Sequence, residues 1–407
     1  MGFSEMLAVL LSLSGFGVAD NPNAPSAAEV QKYAPAGADY MMYLDVEAIV
    51  PGNWKVLAGL PGLPAVKGQP KLQAAVKDIV AAAEKGRAQV KAMTGIDPIT
   101  DVRSLAAWVE YTDKGDPSVL IVVRGKFAAG LVDRAGTLMG GNTEQVDGRS
   151  VVTGPDGKMA LATTADGSLV GGTPAWVKER AKTAWKPLAP AKGSAMGRAT
   201  ALFADRPLAV LASSPSPRAA KRFAQDLRGE EGAAILDLLT SHTFAGFALH
   251  HAGVTWTATL KTAAGYERWK TGSEGVIDLL RASHFATRGF AKVGLTALEA
   301  FGAGKVGKPE VAALVKYKKE LLALVDETTG DGKFEAKLEG GAADRTVTVK
   351  AVGKKLSDVV PAGGLLPLAG AGAFFAFSRG GESSAPHPAA VSPAPRPARP
   401  VPVKKTK

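Results

Sequence analysis

Few residues in this chain are of types and spacings that could do chemistry, and their contexts argue against most of it. Gly302-Ala303-Gly304-Lys305-Val306-Gly307-Lys308-Pro309 matches the glycine pattern of dinucleotide-binding turns, and it matches a phosphate-binding loop up to the final residue. That loop needs Ser or Thr after the lysine to hold magnesium, and here Pro309 stands in its place. Both motifs also need a strand before and a helix after. Leu295–Phe301 continues a helical pattern, so the stretch reads as a helix–turn–helix connection, with Pro309 opening the next helix. The five histidines are His242, His250, His251, His284 and His387. His250 and His251 are neighbours at a hairpin turn, and strand alternation sends them to opposite faces. No carboxylate stands at H-E-x-x-H spacing, so they read as solvated turn histidines rather than zinc ligands. Asp97 and Asp101 could pair, but Asp97 precedes Pro98 and reads as a turn former. Asp326–Glu335 is acidic without the alternating oxygen ligands of a calcium loop. There is no G-x-S-x-G elbow, and no S-x-x-K with its partner motifs. No catalytic residue is assigned, no cofactor or metal is expected, and the balance leans against an enzyme.

Composition narrows the classes further. The 407 residues allow two or three domains, and 46% hydrophobic with 21% charged residues is ordinary for a folded chain with a sizeable core. The absence of cysteine removes thiol nucleophiles, Cys metal sites and disulfides together. Of the net charge of +11, the last stretch from Arg379 to Lys407 carries +5, from six basic residues and Glu382. The remaining +6 is spread thinly, with no block of like charge and no aromatic-interleaved basic patch. A nucleic-acid partner is therefore not expected.

The ends of the chain are more informative than the middle. Val359–Phe377, VVPAGGLLPLAGAGAFFAF, carries no charge and no side-chain hydrogen-bonding group. As a helix it would span roughly 28 Å, close to a bilayer's hydrocarbon core. Four glycines and two prolines weaken it as a span. Met6–Val18 is an apolar run of signal-peptide length, and Gly17-Val18-Ala19 puts small residues where a signal peptidase reads. The n-region lacks Lys and Arg and carries Glu5. Export at one end and a stop-transfer segment at the other place the body outside and the basic tail inside, as the positive-inside rule requires.

The elements between are legible by pattern. Ala38–Val46 reads as a strand, Pro51–Gly68 as a loop, and Pro70 onward as an amphipathic helix. That helix carries Leu72, Val76, Ile79, Ala83, Val90 and Met93 on one side and stops at Gly95. Leu105–Tyr111 and Ser118–Arg124 form a hairpin whose second strand reads as buried on both faces. Asp147-Gly148, Pro155-Asp156-Gly157 and Asp166-Gly167 mark tight turns between short strands. In the second half, Ser216-Pro217 opens a helix, and Phe244–His250 pairs with Val254–Leu260. There Val254, Trp256, Ala258 and Leu260 face one way and Thr255, Thr257 and Thr259 the other. A last hairpin sets Phe334, Ala336 and Leu338 against Val347 and Val349. Helix-then-hairpin thus occurs three times, ending near residues 124, 261 and 350.

The expected organisation is a signal peptide over 1–19, a first α+β lobe over 20–185, a linker over 186–197 and a second lobe over 198–352. A candidate transmembrane helix follows over 359–377, then a disordered Pro-rich basic tail over 378–407. The expected fold class is α+β: a two-lobed ectodomain of antiparallel sheets with helices packed on one face. This layout, with phrases such as Gly95-Ile96-Asp97-Pro98 before a hairpin, resembles uncharacterised exported envelope proteins of high-GC bacteria. The resemblance implies an envelope setting and no known activity. The expected function is a membrane-anchored binding or scaffolding module, its partners the membrane through the C-terminal segment and a protein or envelope polymer. The alternative is an exported hydrolase with its active site between the lobes.

Overall fold

Tyr40–Asp45 (β1) is the strand on which the rest is assembled. It pairs antiparallel with Val102–Glu110 (β2) on one side and with Ala209–Ser213 (β8) on the other. The computed structural model describes residues 21–360 except 22–23, 69, 114–115, 184, 186–194, 227–239, 303–318 and 320–332. The remaining strands of the first half are Ser118–Gly125 (β3), Asn142–Val146 (β4), Arg149–Thr153 (β5), Ala160–Thr163 (β6) and Leu169–Gly172 (β7). Those of the second are His242–His250 (β9), Gly253–Leu260 (β10), Glu335–Gly341 (β11) and Thr346–Val352 (β12). All belong to one twelve-stranded sheet, ordered β11-β12-β10-β9-β8-β1-β2-β3-β7-β6-β5-β4. The fold is α+β, and the two halves share one sheet rather than building one each.

The register exposes an approximate twofold between the halves, centred where Met42 faces Leu211. In each half the innermost strand leads through helix into a hairpin, β2–β3 or β9–β10. The half's last strand, β7 or β12, then returns to pair with that hairpin's outer strand. The backbone bonds at the seam repeat in the same way. Asp39 N–H donates to Val109 at 2.8 Å, and Leu208 N–H to Leu249 at 2.7 Å. Ser214 N–H donates to the Asp39 carbonyl at 2.7 Å, and Asp45 N–H to that of Leu208 at 2.8 Å. The first half adds β5 and β4 beyond the shared pattern.

Helices cover both faces of the sheet, not one. On the first face Ala27–Gln31 (α1), Pro174–Ala181 (α6) and Ala195–Ala199 (α7) close over Met41, Tyr43, Trp108, Leu120, Val122 and Val210. On the second lie Val46–Gly59 (α2), Leu131–Met139 (α5), the forty-residue Ala263–Gly302 (α9) and Leu356–Val359 (α10). The β10–β12–β11 end keeps the one-sided arrangement. There Val254, Ala258 and Leu260 are buried under α9 and α10, while Thr257 and Thr259 pair with Thr348 and Thr346 on the other face. β3 is interior in the sheet, but only Leu120 and Val122 are fully buried; Val119, Ile121 and Val123 are half-buried.

Two local expectations need correction. Residues 51–68 do not form a loop: α2 runs through Pro51, followed by a 3-10 turn over Leu60–Gly62 and a short helix, Pro64–Lys67 (α3). Asp45 caps α2 by accepting from the Ala48 N–H at 3.0 Å. Burial of Ala48, Ile49, Val50 and Leu57 outweighs the one bond that Pro51 removes. The helix Pro70–Thr94 (α4) exists, but Ile79 and Met93 are 50% and 53% exposed. Among the positions whose burial is described, the covered ones are Gln73, Val76, Val80, Ala83, Gly86, Arg87, Val90 and Thr94; Val80 and Ala83 pack against Leu57 of α2, and the seam shares Val76, Ala83 and Val90 with the expected apolar stripe.

Candidate functional site

Most buried acids in the described residues are structural. Asp97, 3% exposed, is gripped by the Arg87 guanidinium at 2.9 and 2.6 Å and accepts from the Ile99 N–H. Its own N–H donates to Asp101, so the two aspartates build the turn after α4 rather than an acid/base pair. The Arg87 hydrogen bonds hold the Asp97 carboxyl at about 2. An unfolded aspartate titrates near 3.9, so this stabilisation is full above about pH 4 and is lost as pH falls towards 2. Asp97→Asn is expected to cost about 1–3 kcal/mol at neutral pH and to flatten acid unfolding between those values. Coincident acid-unfolding midpoints of variant and parent, followed by circular dichroism, would contradict this.

Asp166, in the β6–β7 turn, ties that turn to α1. It accepts from Lys32 at 2.6 Å, from Thr164 at 2.5 Å and from the Tyr33 hydroxyl. Burial pushes its carboxyl up, but these three donors together hold it well below the usual range. Trp185 stacks on Tyr33 at 5.4 Å, and Arg180 donates to the Tyr33 carbonyl at 3.1 Å. Asp45 accepts from the Asn21 amide at 3.1 and 3.0 Å as well as capping α2, and burial raises its pKa. Asp39, 1% exposed, accepts from the Ser216 N–H at 2.6 Å and the Tyr111 N–H at 2.8 Å.

A different kind of cluster sits at the seam on the second face. Ser213, the last residue of β8, lies 2.7 Å from Nε2 of His242, the first residue of β9. Simple alternation along β9 would turn His242 to the other face. A register shift opposite Thr259/Leu260 instead sets His242 across from Leu260, on the face that Ser213 occupies. His242 is 4% exposed, with Trp269 of α9 edge-on at 6.1 Å. Tyr40, across the seam, is the direct cross-strand partner of Ser213. Its ring meets Tyr111 at 6.0 Å and Phe223, on Pro217–Asp226 (α8), at 6.1 Å. The Tyr40 hydroxyl is buried without a hydrogen bond of normal length and geometry among the described residues; the Ser213 side chain is near enough to pull its pKa down, but burial, with Tyr111 and Asp39, outweighs this and holds it protonated. A hydroxyl within reach of an imidazole, beside a spare phenolic donor in an aromatic setting, has the parts for nucleophilic acyl chemistry.

No role for Ser213 or Tyr40 follows from the sequence, and spacing alone gives His242 none. The only available signal was the match of strand ends across the seam, and the bulge that aims His242 leaves no mark in local pattern. His250 is not a solvated turn histidine: its Nδ1 is buried and burial lowers its pKa. Gly302 ends α9; the rest of the Gly302–Pro309 motif lies outside the described residues, as do His387, most of Asp326–Glu335 and the linker up to residue 194. Among the described residues no group of His, Asp and Glu is placed to hold a metal.

Comparison with known proteins adds little. No family model matches the chain. Nor does any curated protein match it in sequence. Among solved structures, a crystal form of TP0453 aligns over 81% of this chain and 96% of its own, at 9% identity and a TM-score of 0.33. A likeness at that level establishes no common fold.

Proposed function

We propose that the chain is an exported envelope protein whose two pseudo-equivalent halves share one sheet. It is held at the cytoplasmic membrane by an apolar helix within 361–377, the part of the uncharged run beyond the buried Val359 and Val360, and its body binds or scaffolds a protein or envelope polymer. The observation that supports this most is the uncharged run itself, followed in sequence by a basic tail. No helix among the described residues is long and apolar enough to cross a membrane, and residues 1–20 and 361–407 lie outside them. Val359 and Val360 are 0% and 2% exposed, packed with Leu356 against the sheet. The run free to enter a bilayer is therefore Pro361–Phe377, about 17 residues and roughly 25 Å as a helix, at the short end for a span. Cell fractionation with protease shaving tests the reading. The full chain should sediment with membranes, with the body cleaved from outside and a tag after Lys407 protected, and truncation after Val360 should release the body. Recovery of the full chain from the soluble cytoplasm would sink it.

A second reading, an exported hydrolase working at the junction of the halves, is supported by one observation. Ser213 is hydrogen-bonded to His242 at 2.7 Å against Tyr40 of the other half.

A further inference from the structure

We propose that the seam site takes esters with a compact, uncharged, aromatic or short-chain acyl group, and that the Tyr40 hydroxyl is its oxyanion donor. This rests on the hydrolase reading and assigns it a substrate class and a third residue.

The aromatic surroundings set the class. Tyr40, Tyr111 and Phe223 pack against one another at 5.2 to 6.1 Å on one side of Ser213, and Trp269 closes over His242 on the other. Rings at these positions favour a flat or short apolar acyl group. Ser213 is only half-buried, whereas its partner His242 is 4% exposed.

The oxyanion role follows from an unsatisfied donor. A buried hydroxyl without a partner costs free energy in the resting protein, and a developing negative charge beside it removes that cost. Tyr40 stands opposite Ser213 in the register, so its hydroxyl lies on the same face and close to the serine. Ser213 Oγ attacks the acyl carbon, its proton passing to His242 Nε2 while Tyr40 donates to the carbonyl oxygen. Collapse breaks the ester C–O bond, and the departing alcohol takes the proton from His242. Water, deprotonated by His242, then attacks the seryl ester; the carboxylic acid leaves and Ser213 regains its proton. No metal or redox partner enters the balance.

The test uses the full-length chain in detergent. A fluorophosphonate probe should form one adduct, mapped by mass spectrometry to Ser213, that is absent in Ser213→Ala and in heat-unfolded protein. His242→Asn should slow labelling at least about 100-fold. Short-chain and aryl nitrophenyl esters should turn over faster than long-chain ones. Tyr40→Phe should lower kcat roughly 100-fold while labelling still goes to completion, a split that a merely structural tyrosine would not give. Melting curves establish that each variant is folded, and Ser214→Ala serves as a neighbouring control. Folded protein without an adduct at Ser213 overturns the hydrolase reading. An adduct at Ser213 with no preference for compact esters, or with unchanged kcat in Tyr40→Phe, overturns this inference alone.

Discussion

Asp39→Ala is expected to destabilise the body by about 3–5 kcal/mol, the largest loss from any single side chain at the seam. The carboxylate is 1% exposed and accepts from the backbone N–H groups of Tyr111 and Ser216. One donor follows β2 in the first half; the other opens α8 in the second. Alanine leaves both without an acceptor in a site that admits little water, and orphaning buried donors costs about 1–3 kcal/mol each. Asn at 39 should recover part of the loss, because its carbonyl can serve one of the two donors while its amide faces the other. The twofold gives the prediction a second readout. Because Asp39 joins the halves, exchange protection should fall together in β1 and β8, while the β4–β5 edge is affected least. Urea unfolding and hydrogen exchange on the parent and both variants check this. A loss under 1 kcal/mol, or one confined to the first half, would show that the seam does not depend on this carboxylate.

What could be read from the sequence depended on how far apart the interacting residues lie. The β9–β10 hairpin was legible because alternation over Val254–Leu260 is strict and its turn is local. The short strands of the first half were legible for the same reason, since Gly148, Gly157 and Gly167 take the positive φ their turns require. The joining of both halves into one sheet was not legible. It rests on Tyr40 facing Ser213 through Leu44 facing Ala209, a pairing between short strands that no adjacent turn specifies. Pro51 misled because a proline is normally a breaker, and only tertiary burial of Ile49, Val50 and Leu57 carries the helix past it. The seam site was hidden twice over. Its three side chains come from three strands, and one of them reaches the shared face through a bulge.

The twofold also separates positions that the fold needs from positions that a site needs. Asp39 corresponds to Leu208 in the other half: both make the same two backbone bonds, but only the aspartate adds side-chain bonds, one to Tyr111 of its own half and one across the seam to Ser216. A carboxylate in place of an apolar residue marks where the halves differ in chemistry and agree in backbone. The Ser213–His242 contact lies at the same seam. On the hydrolase reading, chemistry is to be sought where the two halves meet rather than at the outer edges β4 and β11.

Gly172→Ala is the second substitution expected to have a severe effect, at about 4 kcal/mol or more, with loss of the folded body at 37 °C. Gly172 ends β7 with φ at 139°, a region L-residues rarely adopt. An added Cβ would fall inside the van der Waals envelope of the Val119 carbonyl oxygen, on the β3 backbone. That oxygen accepts from the Thr173 N–H at 2.8 Å, and the Thr173 hydroxyl accepts from the Val119 N–H at 3.0 Å. Relief of the clash would therefore break the pair of bonds that fastens β7 to β3 and sets α6 over Val151 and Val170. Neither strand can yield cheaply, since Leu120 and Val170 are fully buried on either side of the contact. Gly171, one residue earlier, meets nothing closer than Leu161 at 3.6 Å, so Gly171→Ala provides the matched control and should cost under about 1 kcal/mol. Thermal melting of the two variants side by side separates backbone clash from general intolerance of β7. Equal melting temperatures would mean that the β3–β7 junction can relax, and the close approach at Gly172 would then carry no structural weight.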